Sequence, residues 1–234
     1  MYCYDGTVRY SELDSRGRLS IGGLLNYFQD CSTFQSEALG VGVEYLSSRD
    51  QAWVLASWQI DIIRRPSLCE KITVGTFPYE FKKSLGFRNF FLKDEKGEYL
   101  AKANSIWMLV NIKNMTPQMP EDIIYQSYVL EPALEMDYSK RHITILPDGI
   151  EKEPFSIKKY HLDTNNHVNN GQYICMAQEY LPDEFEVGRI RAEYKKSAFY
   201  QDMLYPYVVK TDEMYQVSLR DKEQKVYVNI EFAK

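Results

Sequence analysis

Residues 160–171 read Tyr-His-Leu-Asp-Thr-Asn-Asn-His-Val-Asn-Asn-Gly, and the stretch has a counterpart much earlier in the chain. Set Leu162-Asp163-Thr164 over Leu13-Asp14-Ser15, an offset of 149 residues. Leu19 then meets Val168, Gly22 meets Gly171, Leu25 meets Ile174, Gln29 meets Gln178 and Asp30 meets Glu179. Two further matches follow in order. Arg64-Arg65-Pro66 lies over Lys195-Lys196-Ser197 at an offset of 131, and Leu92-Lys93-Asp94 over Leu219-Arg220-Asp221 at 127. Each match is short. Their common order and slowly shrinking offset mark an internal duplication.

The hydrophobic pattern supports two copies of one unit. In the first, residues near 4–12 read as a strand and residues near 20–39 as a helix. Leu24, Leu25, Phe28, Cys31 and Phe34 fall near helical spacing, and Gly40 and Gly42 mark the stop. Strands follow near 52–64, 70–81, 84–93 and 98–111, with Asp94-Glu95-Lys96-Gly97 as a turn. The second copy reads as a strand at 154–161 and a helix at 169–181. Strands near 187–196, 203–211, 213–220 and 225–233 complete it, with the polar run from Arg220 to Lys225 as the last turn. Residues 113–137 carry Pro117, Pro120 and Pro132 and little periodicity, which predicts a linker crossing the surface. The expected division is therefore 1–112, a linker at 113–137, and 138–234. A sheet with one apolar face needs cover, and one long helix supplies it. The expected class is α+β, a double hotdog: two repeats, each a central helix wrapped by a curved antiparallel sheet.

Bulk properties narrow the function. The chain has 234 residues, 44% of them apolar and 26% charged, which fits a folded protein. The formal net charge of −5 argues against nucleic acid as the main partner. No apolar run approaches the ~18 residues of a membrane-spanning helix. Met1-Tyr2-Cys3-Tyr4-Asp5-Gly6 does not read as a secretion signal. Cys3, Cys31, Cys69 and Cys175 are widely spaced, so neither a zinc site nor a disulfide framework is expected. They read as reduced thiols in a cytoplasmic protein. No cofactor or metal is expected.

The chemistry concentrates in 160–171. Asp163, Asn165 and His167 fall at intervals of two, so an extended backbone puts all three on one side. A carboxylate can orient a ring, an imidazole can take a proton from water, and an amide can donate to a carbonyl oxygen gaining negative charge. Asn169 or Asn170 is a suitable N-cap for the following helix. A polar turn capping a helix would look similar. The first copy separates the two readings, since it has Arg16 where the second has Asn165, and Arg18 where the second has His167. One active and one inactive half explains that difference.

Asp-Thr-Asn-Asn-His-Val-Asn-Asn at 163–170, followed by Gln172-Tyr173-Ile174, closely resembles the motif of acyl-acyl-carrier-protein thioesterases. Trp53-Val54-Leu55-Ala56 and Glu193-Tyr194-Lys195-Lys196 add to the resemblance. It implies hydrolysis of a fatty-acyl thioester on acyl carrier protein, in fatty acid biosynthesis. His167 is then the base or holds the water, Asn165 positions carbonyl or water, and Asp163 orients its neighbours. It also implies that the first repeat holds the acyl chain and lacks catalytic residues, with Trp53, Phe28 and Leu25 as candidate pocket residues. One departure stands out: Ser197 and Ala198 occupy positions where the family commonly has an acidic residue, often followed by Cys in plant members. Glu193 lies on the same face as Ser197 if the strand is regular. It can substitute or form a structural ion pair, and Ser197 can hold water or simply pack. Single-hotdog acyl-CoA thioesterases carry related patterns, so an acyl-CoA thioesterase and a non-catalytic acyl-binding hotdog are the competing readings.

Other residues carry less. His161 reads as a strand-end histidine near solvent, and His142 has no assigned role. Cys175 reads as a buried thiol. Basic doublets at Arg64-Arg65, Lys82-Lys83, Lys140-Arg141, Lys158-Lys159 and Lys195-Lys196 suit either an acidic carrier protein or solvated strand edges. A homodimer stays open, because a tandem hotdog already supplies one pairing internally.

Overall fold

A computed structural model describes every residue from Met1 to Lys234. The chain divides into two compact units, Met1–Ala56 with Ile60–Tyr138, and Ser57–Gln59 with Ser139–Lys234.

The first unit runs β1 (Tyr2–Thr7), a 3-10 turn (Tyr10–Glu12), α1 (Ile21–Ala38) and α2 (Val43–Ser47). It continues through β2 (Gln51–Ile62), β3 (Lys71–Lys82), β4 (Leu85–Asp94), β5 (Tyr99–Asn111) and α3 (Asp122–Ser127). Its strands lie in the order β1-β3-β4-β5-β2, and the β1–β3, β3–β4 and β4–β5 pairs are antiparallel. Ser20 starts α1 by accepting the Gly23 N–H at 3.0 Å. Gly40 at φ 70° ends it in the left-handed conformation that costs glycine nothing. Leu24, Leu25, Phe28 and Cys31 form the buried face of α1. The Phe28 ring lies 5.3 Å from Phe90 of β4. Complete burial of a side chain like Phe28 stabilises by about 2–3 kcal/mol.

The second unit repeats the plan. It has β6 (Ile150–Glu151), β7 (Phe155–Ser156), a 3-10 turn (Lys159–His161), α4 (Asn170–Gln178), β8 (Arg189–Tyr194), β9 (Met203–Lys210), β10 (Met214–Arg220) and β11 (Val226–Ala233). Its order is β8-β11-β10-β9, with β6 and β7 both on β9. Replace β1, β3, β4, β5 and β2 by β7, β9, β10, β11 and β8, and the two topologies coincide. The duplication predicted from short sequence matches is thus present in the hydrogen bonding.

Four local differences from the sequence reading have physical causes. The strands expected at 4–12 and 154–161 stop early, because each chain folds into a 3-10 turn. In the second, the Lys158 N–H donates to His161 Nδ1 at 3.1 Å. The helix expected at 169–181 ends at Gln178, half the length of α1, where the Tyr180 and Leu181 N–H groups turn back to Ala177 and Gln178. The 113–137 stretch contains α3, whose Ile124 is fully buried against Val41, Leu46, Leu109 and Tyr128. The rest of that stretch is tied down rather than loose. The Leu134 N–H and the Tyr138 hydroxyl both donate to Oδ1 of the buried Asn89, each at 3.0 Å. In the second unit the chain after Ser139 is held the same way: the Ile143 N–H donates to Glu193 and the Leu146 N–H to Gln216.

Candidate active site

The 163–167 stretch is a tight turn, not an extended strand. Leu162 bridges Val168. Inside that bridge the Asp163 N–H donates to the His167 carbonyl at 2.8 Å, and the Asn166 N–H to the Asp163 carbonyl at 3.1 Å. Asp163 Oδ1 accepts the Asn165 N–H at 2.8 Å and the His167 N–H at 3.2 Å. Asn166 sits at φ 59°, a left-handed position that asparagine tolerates better than most residues. The expected one-sided alternation of Asp163, Asn165 and His167 fails here, because the left-handed residue interrupts it. The backbone N–H groups of Asn165 and His167 converge on one carboxylate oxygen instead.

The same turn recurs elsewhere. Asp14 Oδ1 accepts the Arg16 and Arg18 N–H groups at 2.9 and 3.0 Å, with Gly17 at φ 73°. Asp94 does this for Lys96 and Glu98, with Gly97 at φ 83°. Asp221 does it for Glu223 and Lys225, with Gln224 at φ 63°. The carboxylate at the head of the turn therefore has a structural duty at all four places. Only the 163–167 copy carries an amide and an imidazole at its second and fourth following positions.

Several elements hold His167. Its ring stands edge-on to Phe199, with centroids 4.9 Å apart. Next to it, the Val168 N–H donates to the Ala198 carbonyl at 3.0 Å. The Ala198 N–H donates to the hydroxyl of Tyr173, on α4, at 2.7 Å. Burial raises the pKa of that phenol, so it stays neutral. Asn169 caps α4 by accepting the Gly171 N–H at 2.8 Å. The imidazole is half-buried and Asn165 is exposed. Phe199 was not legible as a site residue, and Ala198 was marked only as a departure from the family pattern. Their roles come from a loop that arrives about 30 residues after the motif.

Ser197 lies in that loop beyond the end of β8, so the regular-strand relation to Glu193 does not hold. Glu193 itself is buried and faces away from α4. Its neighbour Tyr194, on the other face of β8, donates its hydroxyl to the Asn170 carbonyl at 2.8 Å. The Glu193 carboxylate accepts the Ile143 N–H at 3.1 Å and lies 3.2 Å from His142 Nδ1. Burial alone would raise its pKa; the Ile143 N–H, His142 and Lys195 outweigh that and hold it below the ordinary value. The ion pair is the structural one, and His142 has a partner after all. His161, expected near solvent, is buried in the 3-10 turn, and burial with Lys158 nearby lowers its pKa. Burial raises the Cys175 thiol, the reverse of an activated nucleophile.

In the first unit, Leu25 and Phe28 are core residues of α1. Trp53 lies elsewhere, 6.1 Å from the Phe81 ring beside the Val41–Leu109 cluster. Two basic doublets are engaged: Arg64 with Glu70 and Arg65 with Asp14, and Lys195 with Glu193 and Lys196 with Asp221. Lys82-Lys83, Lys140-Arg141 and Lys158-Lys159 are exposed.

Two copies of one strand-helix-sheet unit, with an amide and imidazole on the helix-entry turn of the second, define a tandem hotdog protein. The model of the acyl-ACP thioesterase N-terminal domain matches residues 2–128, and that of the C-terminal domain matches residues 147–233. The chain belongs to the acyl-ACP thioesterase family. It is 26% identical over 206 residues to a chloroplastic acyl-[acyl-carrier-protein] hydrolase, FATB3, of Cuphea viscosissima, covering 81% of this chain and 50% of that one. With the chloroplastic oleoyl-acyl carrier protein thioesterase 1 of Arabidopsis thaliana it shares 24% identity over 228 residues, 88% of this chain and 63% of that one. The chain spans about half the length of the first of these relatives. Two solved structures share the fold. An acyl-ACP thioesterase from Bacteroides thetaiotaomicron superposes with TM-score 0.89 at 22% identity, over 99% of this chain and 96% of that one. The 12:0-ACP thioesterase from Umbellularia californica gives 0.88 at 19% identity, over 99% and 96%.

Proposed function

We propose that this protein hydrolyses the thioester of a fatty-acyl acyl carrier protein, releasing free fatty acid for fatty acid biosynthesis. The observation that carries the reading is the contrast between two equivalent turns: the same backbone, but an amide and an imidazole only in the second. Family membership and the names of the relatives supply the substrate class.

In this reading His167 takes a proton from water as the water oxygen bonds to the thioester carbon. Asn165 donates to the carbonyl oxygen, and the positive end of α4 lies close by in the chain. Collapse breaks the carbon–sulfur bond, and the proton passes to the departing sulfur. The products are a fatty acid and the carrier thiol. Asp163 is a positioning residue: it fixes the backbone of the two residues that carry the chemistry. Glu193, tied to His142 and Ile143, supports the fold of the second unit, and Ser197 borders the site through its loop. The exposed Lys158-Lys159 doublet, just ahead of the motif, suits an acidic carrier.

We place the acyl chain in the first unit, around Phe28, Leu25 and Trp53, and the protein in the cytoplasm, where its four free thiols fit a reducing milieu. No helix is long and apolar enough to cross a membrane. Pairing of two chains is tested by sedimentation. The decisive assay presents one acyl chain on carrier protein and on CoA, with free fatty acid as readout, to the wild type and His167→Ala. We expect faster release from the carrier protein and loss of turnover in a folded His167→Ala. Full activity in His167→Ala removes the mechanism, and a strong CoA preference overturns the substrate.

A further inference from the structure

The loop that carries Phe199 is itself a duplicate. The Leu19 N–H donates to the Pro66 carbonyl at 2.7 Å, and Val168 does the same to Ala198 at 3.0 Å. Further bonds repeat with the loop residues 132 positions apart, one more than the short sequence match gives. The Ser67 N–H donates to Glu70 Oε1 at 2.8 Å, and the Phe199 N–H to Asp202 Oδ2 at 2.9 Å. The Cys69 N–H donates to Val8 at 3.0 Å, and the Gln201 N–H to Ile157 at 3.1 Å. Val8 and Ile157 donate in return to Glu70 and Asp202. Cys69 and Gln201 both lie at positive φ, 65° and 70°. Phe199 therefore stands where the first unit has Ser67.

The two loops also face the two aspartate turns in the same way. Arg18, the fourth residue after Asp14, forms a backbone bridge with Ser67. His167, the fourth after Asp163, meets Phe199 ring to ring, with centroids 4.9 Å apart and planes at 80°. The backbone around Phe199 is fixed from both sides. Ala198 is fully buried, and its N–H donates to the Tyr173 hydroxyl at 2.7 Å. Asp202 Oδ2, besides accepting the Phe199 N–H, accepts the Tyr227 hydroxyl of β11 at 3.3 Å. The Phe199 ring itself is at 50% exposure. Buried anchors thus aim a ring that the core does not use.

An imidazole has need of such a ring. Rotation about the bond to the ring is broad, so the plane of a working histidine is set by a partner, often a carboxylate or carbonyl at one ring nitrogen. Neither ring nitrogen of His167 hydrogen-bonds within the chain; its donor in the turn is the backbone N–H. Asp163 Oδ1, the expected orienter, is taken by two backbone N–H groups. The ring contact left to His167 is Phe199. An edge-to-face pair is directional, because the positive edge of one ring seeks the negative face of the other. It holds the plane of the imidazole and leaves both nitrogens open to water and substrate, where a carboxylate would occupy one.

We propose that Phe199 is a positioning residue of the active site, holding the His167 imidazole edge-on in the role that a carboxylate plays for other histidine bases. This rests on the reading above of His167 as the base. The test compares the wild type with Phe199→Ser, which copies the first unit, and with Phe199→Tyr, which keeps the ring. Steady-state kinetics on dodecanoyl carrier protein give kcat and KM. Proton NMR of the substrate-free protein gives the shifts of the His167 ring protons, identified by their loss in His167→Ala. We expect Phe199→Ser to lower kcat by about three- to tenfold with KM within about twofold, and to move the ring-proton shifts toward those of free imidazole. Phe199→Tyr should preserve kcat, KM and the shifts. An unchanged kcat in Phe199→Ser overturns the inference. So does an equal loss in Phe199→Tyr, and so does a rise in KM alone, which would make Phe199 a substrate contact. Absence of hydrolysis by the wild type overturns the hydrolase instead. The shifts in Phe199→Ser then decide the matter by themselves, and unmoved shifts overturn the role of Phe199.

Discussion

The turns at 14–18 and 163–167 have the same backbone and different work. In both, an aspartate Oδ1 gathers two N–H groups, a left-handed residue closes the loop, and a bridge of apolar residues pinches its base. Each is followed by a capped helix. Even the docking bond is shared: Leu19 N–H donates to Pro66, and Val168 N–H to Ala198. In the first copy the aspartate also pairs with Arg65 at 2.6 Å. In the second copy Lys196, set over Arg65 by the sequence match, pairs with Asp221 instead, and the turn carries an exposed amide and an imidazole against Phe199. A turn held by its own backbone leaves its side chains free to change. Duplication then lets one copy keep the scaffold while the other carries chemistry.

Four measurements press on that comparison. The largest effect is expected from grafting the first turn onto the second, as Asn165→Arg with His167→Arg. Turnover on acyl carrier protein should fall by about 10²–10⁴, because acid–base and oxyanion contributions each have that scale. Thermal stability should hardly move, since neither side chain supports the turn. Unfolding at lower temperature by more than a few degrees would instead give those side chains a structural role.

Next comes the head of each turn. Asp14→Ala and Asp163→Ala each strand two backbone N–H groups, a loss of about 1–3 kcal/mol in urea unfolding. Asp14→Ala should cost more, since it also frees Arg65. Asp163→Asn keeps an acceptor oxygen and should retain most of the activity that Asp163→Ala loses. Equal loss in both Asp163 variants would give the charge itself a catalytic part.

A smaller effect lies at the left-handed residue. Gly17→Ala should destabilise by about 1 kcal/mol, and Asn166→Gly should stabilise by a few tenths. Measured midpoints with the opposite signs would show that the two backbones differ.

The smallest effect is a pH dependence unique to the second unit, where His161 closes the 3-10 turn that Glu12 closes in the first. Burial depresses the folded pKa of His161 below 6.5. Its contribution is therefore intact above that value and is lost as pH falls through the folded pKa, because the unfolded chain binds the proton more readily. Thermal midpoints at pH 8 and pH 5 should differ less in His161→Gln than in the wild type. An unchanged difference would leave His161 without a role in acid sensitivity.

Asp94 and Gly97 announce their turn from composition alone, and the apolar period of Leu24, Leu25, Phe28 and Cys31 announces α1; the turn at 163–167 was not announced, because residues two apart fit an extended face equally well. These features depend on neighbours within a few residues, so the sequence by itself determined the repeat, the succession of elements along each copy and the segment that bears the amide and imidazole. Tertiary structure decided the rest. Glu193 faces His142 and Ile143, about 50 residues away, rather than Ser197. His161 is buried, and Phe199 lies on His167. Each of these depends on which distant strand or loop fills the space beside a side chain, and no local period or turn signal encodes that.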